Sequence, residues 1–234
     1  MTAERVSAAA AAQAAVPRVT IRRVRATDEA GLAAVATLHE ELLPFGPLAA
    51  LGADFLRVVA YRAPVRDGLL ELALAEVDGR PAGFVAYLAD SERFHAEAMR
   101  KHVPLAGFQL ALAMVRDPRR LRAVPRILRV MRSRVDDGED RGAFGEVIGI
   151  GARPEYLTAT FRKQSGHWLS RDLVVWAADD LFKAGKGRLR MFVAAENTRT
   201  LLLYQLLGAE FERVEHGGEP TMAVTFRLPF GSTG

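Results

Sequence analysis

The 234-residue chain contains no cysteine. Disulfides, thiolate metal sites and cysteine nucleophiles are thereby excluded, and the composition suits a reducing cytoplasm. Aromatic residues make up only 8% of the chain, which leaves few rings for stacking on nucleic-acid bases. No apolar run approaches the length of a membrane span, so none is expected. Neither sign of charge dominates: 32 basic and 28 acidic residues leave a net charge of +4, too small to announce a polyanionic partner. The five histidines, His39, His95, His102, His167 and His216, form no HExxH or other tight ligand pair, so no metal is expected. The opening "MTAERVSAAAAAQAAV" carries Glu4 and lacks a strong apolar core; it reads as a disordered or loosely helical tail rather than a secretory signal.

What is present is enough apolar material, 50% of residues, for one sizeable core. The pattern predicts a flexible tail over 1–18, a mixed domain over 19–228 and a short C-terminal tail over 229–234. A first strand begins at Val19, and Thr27 or Asp28 can cap the helix that follows. Pro44 stops that helix, and "PLAALGADFLRVVAYRA" predicts a second one. Two apolar strands meet at Asp78-Gly79, a strong hairpin signal. After residue 141 come a strand over Phe144 to Ile150, a loop leading into a helix that ends near Gly185 or Gly187, and a strand over 188–195. A helix over 198–207 and a final strand pair complete the chain. Strands and helices mixed in this way predict an α/β fold.

Residues 90–141 interrupt this order as a helical insertion. Within it, Arg116 to Arg134 carries eight arginines and one acid, Asp117, with apolar residues at helical spacing and Pro125 as a kink or break. It reads as a helix with one basic face, and Asp136, Asp137, Glu139 and Asp140 as a solvated acidic loop. No nucleic-acid reading motif accompanies the arginines, so a nucleic-acid partner is not expected.

Several polar residues stand where apolar ones would be ordinary. Asn197 lies between a strand and a helix: it is either the helix N-cap or a donor and acceptor for strand backbone left unpaired. Tyr204 sits two turns into that helix among leucines, as a packing residue or as a proton donor. In "GEVIGI", strict alternation would put Glu146, Ile148 and Ile150 on one face, leaving Glu146 as a general base or one half of a salt bridge. "FRKQSGHWLSRDL" offers Arg162, Lys163, Gln164, Ser165, Gly166 and His167 ahead of a helix, either as an anion-binding turn or as an ordinary cap. His39, Glu40 and Glu41 place polar and acidic groups on the first helix.

Taken in order, "VTIRRVRATDEAGLAAV", "LALAEVDGRPAGFVAYL" and "MFVAAENTRTLLLYQLLGAEF" resemble the opening, the central hairpin and the closing segment of the GCN5-related N-acetyltransferase (GNAT) superfamily. The resemblance implies a mixed central sheet with splayed fourth and fifth strands, flanked by helices. It also implies an acetyl-CoA site in the cleft between those strands, with acetyl-CoA as cosubstrate for an amine acceptor. Pantetheine would pair with the strand edge at Ile148, Gly149 and Ile150, and the pyrophosphate would meet the turn over residues 162–167. Asn197 matches the family's asparagine, Tyr204 its general acid and Glu146 its fourth-strand base. Ser165 and His167 stand where the family carries glycine-type residues. His39 and Glu41 would touch the acceptor, and the basic insertion would suit an anionic group on it. The same fold also serves catalytically silent acyl-CoA-binding proteins and structural domains, so these remain alternatives. The terminal strands, if exposed, allow pairing with a second copy.

Overall fold

The computed structural model describes residues 16–44, 46, 48–116, 125, 142–216 and 218–229. The expected N-terminal tail lies outside them up to residue 15, and the C-terminal tail from 230 onward. The arginine-rich face and acidic loop of the insertion also fall outside, apart from Arg116 and Pro125.

Among the described residues, seven strands form one sheet in the order β1-β2-β3-β4-β5-β7-β6. The strands are β1 (Val19–Arg23), β2 (Glu71–Val77), β3 (Arg80–Leu88), β4 (Phe144–Ala152), β5 (Arg188–Ala194), β6 (Glu210–His216) and β7 (Glu219–Arg227). Only β4 and β5 run parallel; every other pair is antiparallel. The β2–β3 turn falls at Asp78 and Gly79, both at positive φ (51° and 75°), the conformation that two-residue hairpins demand. Of the two final strands, β7 is internal and β6 is the edge, so any pairing with a second copy at this end belongs to β6.

Helix α1 (Glu29–Leu42) starts where Asp28 accepts a hydrogen bond from the Gly31 N–H at 2.9 Å. It buries Leu32, Val35, Ala36 and His39, one helical face, against the sheet. The expected second helix is broken into a 3₁₀ turn, Ala49–Leu51, and the runs Ala53–Phe55, Leu56–Arg62 and Ala63–Arg66, here together α2. The middle run is π-helical, a geometry that occurs in short stretches and often near functional sites. The insertion begins as α3 (Ser91–Arg116). It docks through Leu105, Ala106 and Leu110 on the cluster Leu51, Phe55 and Val59, and through His102 near Asp67 at 3.4 Å.

The segment after β4 departs from the expected loop. Pro154–Leu157 is a 3₁₀ turn and α4 (Ala159–Ser165) is a helix, capped where the Thr158 hydroxyl accepts from the Phe161 N–H at 3.1 Å. Thr158 and Pro154 are the starting signals that a loop assignment passes over. Then α5 (Leu169–Lys183) buries Leu169, Leu173, Val174, Ala177, Ala178 and Leu181 across β3, β4 and β5. The last helix is α6 (Thr198–Leu206). Two apolar layers result. One lies between the sheet and α5 and includes Val147, Leu189, Met191 and Tyr204; the other lies between the sheet and α1 with α2, and includes Leu38, Tyr61, Phe84 and Ala86.

Candidate active site

The site begins with one surplus residue. Along β3, Ala86 pairs with Gly149 but the next residue, Tyr87, pairs with Val147, so Ile148 has no partner of its own. This is a β-bulge, which bends its strand and increases its twist. It reverses the alternation of faces. Gly145 and Val147 lie on the α5 side, where a Cβ at Gly145 would meet Leu181. Beyond the bulge, Gly149 and Gly151 lie on the α1 side, against Phe84, Ala86 and Leu42, while Ile150 packs on the α5 layer. Glu146 therefore shares a face with Gly149 and Gly151, not with Ile150 as strict alternation predicts.

The bend falls where β4 leaves β5. The parallel register runs Phe144↔Arg188, Gly145↔Leu189, Glu146↔Arg190 and Val147↔Met191, and stops. Both strands continue: β4 stays paired with β3 to Ala152, and β5 stays paired with β7 to Ala194. The β4 edge from Ile148 onward and the β5 edge from Phe192 onward thus face a gap instead of each other. Backbone N–H and C=O groups on such edges need partners, and an extended ligand with amides can supply them. Ile148, at 40% exposure, is the large apolar residue at its mouth.

At the closed end of the gap, Glu146 meets Arg190 at 3.2 Å, with side chains only 12% and 7% exposed. The Arg190 guanidinium lies over the rings of both Phe144 and Phe192, at 4.9 and 5.2 Å. His216 stacks on Phe192 with centroids 4.4 Å apart. Burial pulls the His216 imidazole below its ordinary pKa, and the neighbouring Arg190 and His95 add to this. Arg190, Phe192 and His216 are not among the expected site residues. The available signal was "RLRMFV", in which Arg190 follows Arg188 into a strand whose other residues are apolar.

On the other side, Tyr204 is buried and packs edge-to-face on Phe226, with centroids 5.8 Å apart. Burial pushes its phenol up to about 12, so it holds its proton at neutral pH. Asn197 is the N-cap of α6, its Oδ1 accepting from the Thr200 N–H at 3.3 Å. The capping alternative is the one the geometry favours for that oxygen.

The turn between α4 and α5 is built differently from expectation. Arg162, Lys163, Gln164 and Ser165 belong to helix α4, and Gly166 closes it at φ 75°. The Ser165 hydroxyl donates to the Phe161 carbonyl at 2.8 Å and accepts from the His167 N–H at 3.1 Å. The His167 ring is tied to Asp172 at 2.9 Å, and Arg162 lies over the Trp168 ring at 5.3 Å. Both non-glycine residues of the turn are thus engaged in shaping it. Helix α5 starts at Trp168 without a side-chain cap, so its first N–H groups are those of a bare helix N-terminus.

The two residues expected to touch an acceptor part company. His39 is a core residue: its Nδ1 shares a hydrogen bond with the Tyr61 hydroxyl at 2.5 Å, and its ring stacks on Phe84. Its position on the apolar stripe of α1, one turn after Val35, buries it. Glu41 is exposed and pairs with Arg153, just past the end of β4, at 2.7 Å. Among the described residues no three His, Asp or Glu side chains converge as a metal site. Among them, too, no helix is long and apolar enough to cross a membrane.

The fold is shared with solved structures. One is yncA of Salmonella typhimurium, a proposed acetyltransferase solved with its cofactor acetyl-CoA: 13% identity, 92% of this chain and 96% of that one covered, TM-score 0.52. Another is the ribosomal-protein-S5-alanine acetyltransferase of Vibrio fischeri: 12% identity, 90% and 93% covered, TM-score 0.50. A third is a proposed GNAT-family acetyltransferase of Desulfovibrio desulfuricans: 15% identity, 90% and 99% covered, TM-score 0.50. The chain has the GNAT fold. No family model matches the sequence, and no curated protein matches it. In a GNAT fold at this level of identity the architecture is held in common while nearly every side chain differs.

Proposed function

We propose that the protein is an acyltransferase that moves an acetyl group from acetyl-CoA to a primary amine by direct transfer. The observation that carries this reading is the end of β4–β5 pairing after Val147 and Met191 in a sheet otherwise paired throughout. A gap of this kind suits the pantetheine arm, whose amides would pair with the β4 edge at Ile148, Gly149 and Ile150. The bare N-terminus of α5 beside Gly166, with Arg162, Lys163 and Gln164 on the preceding helix, suits the pyrophosphate. The Salmonella protein of the same fold was solved with acetyl-CoA, which agrees with this use.

The chemistry asks little of the protein beyond positioning and charge. Glu146 accepts the proton of the acceptor amine, through a water, as the nitrogen attacks the thioester carbonyl. A backbone N–H near Ile148 or Gly149 stabilises the oxyanion. The carbon–sulfur bond breaks and Tyr204 returns a proton to the departing thiolate. Arg188 and Arg190 on β5 place positive charge around the same face, which suits an acceptor that carries an anionic group.

Titration calorimetry with acetyl-CoA is the first experiment, followed by thiol release from acetyl-CoA with a panel of primary amines. A cysteine-free chain contributes no background to a thiol assay. Binding with amine-dependent release supports transfer. Binding without release across the panel gives a CoA-binding regulatory protein, and absence of binding removes the reading.

A further inference from the structure

Glu146 and Arg190 are partners across the last stretch of paired parallel strand before the gap. The arginine is no loose surface cation. Its side chain is 7% exposed, its charge lies over two phenyl rings, and one of those rings is backed by His216. A guanidinium confined in this way has little freedom to swing out and capture a ligand. What it can do is fix the carboxylate beside it. A buried carboxylate without a cation favours the protonated form, whereas one beside a buried arginine is held charged.

We propose that Arg190 is a positioning residue for the transfer reaction: it holds the Glu146 carboxylate ionised and fixed at the closed end of the gap, ready to accept a proton. The proposal rests on the reading of Glu146 as the base. The other charged or titratable groups on this face are Arg188 of β5, whose guanidinium lies over Phe144 at 5.4 Å, His95 of α3, Glu219 and Arg227 of β7, and Glu210, Glu212 and His216 of β6. Arg190 is in register with Glu146 and pairs with it at 3.2 Å, whereas Glu210 pairs with Arg227 at 2.8 Å.

The test uses Arg190→Met, which keeps an unbranched apolar stem without the charge, and Arg190→Lys, which keeps the charge. The first readout is the pH titration of the Glu146 carboxyl carbon by NMR, its signal assigned from the loss in Glu146→Gln. The second is the pH profile of kcat/KM for thiol release from acetyl-CoA with the best amine of the panel. In Arg190→Met the carboxyl midpoint rises by about one to three pH units, and the acid limb of the rate profile rises with it. Arg190→Lys keeps both near those of the parent protein. Phe192→Leu, which frees one side of the guanidinium without removing its charge, gives a smaller rise and serves if Arg190→Met does not fold. An unmoved carboxyl midpoint overturns the proposal. A midpoint that moves while the rate profile stays put also overturns it, because the pair then has no part in the reaction. If the parent protein turns over no amine, the transfer reading has failed on its own, and the carboxyl titration still decides whether Arg190 governs Glu146.

Discussion

Val147 of β4 lies opposite Met191 of β5, and beyond that pair the two strands share no further partner. The next residue, Ile148, is the extra one of the bulge. Removing it would bring Gly149 directly after Val147, restoring regular alternation with β3 and leaving Gly149 and Ile150 on the faces they already occupy. Deletion of Ile148 is therefore expected to leave the fold intact while letting β4 continue alongside β5. Calorimetry should register loss of acetyl-CoA binding with an unchanged thermal transition; retained affinity would separate the bulge from the gap.

The glycines of β4 divide by position. A Cβ at Gly145 would lie 2.3–2.8 Å from three atoms of Leu181, a core residue walled in by its neighbours, whereas at Gly149 the nearest atoms are 3.5–4.0 Å away on Phe84 and Ala86. Gly145→Ala should destabilise by about 1–3 kcal/mol through overpacking. Gly149→Ala should stay close to the parent protein in urea unfolding.

His39 gives stability a pH dependence. Burial pushes its imidazole from 6.5 down to about 4. Above pH 6.5 the ring is neutral in both folded and unfolded chains and contributes no dependence. Between 6.5 and about 4 the unfolded chain binds a proton that the folded one refuses, so stability falls as pH falls, by roughly 3 kcal/mol across the window. The double variant His39→Leu with Tyr61→Phe removes the titrating ring without orphaning the hydroxyl. Its urea midpoint should fall less between pH 7 and pH 4.5 than that of the parent (a window of about 2 units).

Tyr204→Phe separates packing from proton donation. The phenyl ring keeps the contact with Phe226, so the thermal transition should hold, while kcat drops by roughly 10²-fold if the hydroxyl protonates the thiolate. In the parent protein the rate should not decline as pH rises through 10, the ordinary tyrosine value, on account of this group, because burial holds it protonated up to about 12.

Asn197→Ala removes the cap of α6, whose Oδ1 accepts from Thr200, and should lower stability by about 1 kcal/mol. A fall in acetyl-CoA affinity in Asn197→Asp, with stability kept, would give the side-chain amide a second task, since aspartate preserves the cap but not the N–H donor.

The chain displayed its strands and most helices openly because apolar periodicity and turn residues record them locally. Asp78-Gly79, Asp28 and the Phe144 to Ile150 run lie where expected. The site was less legible. A bulge depends on how β3 and β4 align, which neither strand records alone, so the face of Glu146 relative to Ile150 came out reversed. Arg190 escaped notice for a related reason: its meaning lies in the partner across the parallel seam, 44 residues earlier in the chain. His39 looked like a polar helix residue, yet its spacing from Val35 and Leu32 already placed it on the buried stripe. Ser165 and Gly166 were recognised as a turn before a helix, but the helix that precedes them was hidden by its shortness.

The aperture in this sheet is set by counting backbone units rather than by the shape of any side chain: one strand has a residue more than its neighbour can match. Such a device is indifferent to most substitution. Core residues can drift, and the lining of the slot can be exchanged, without any change in that count.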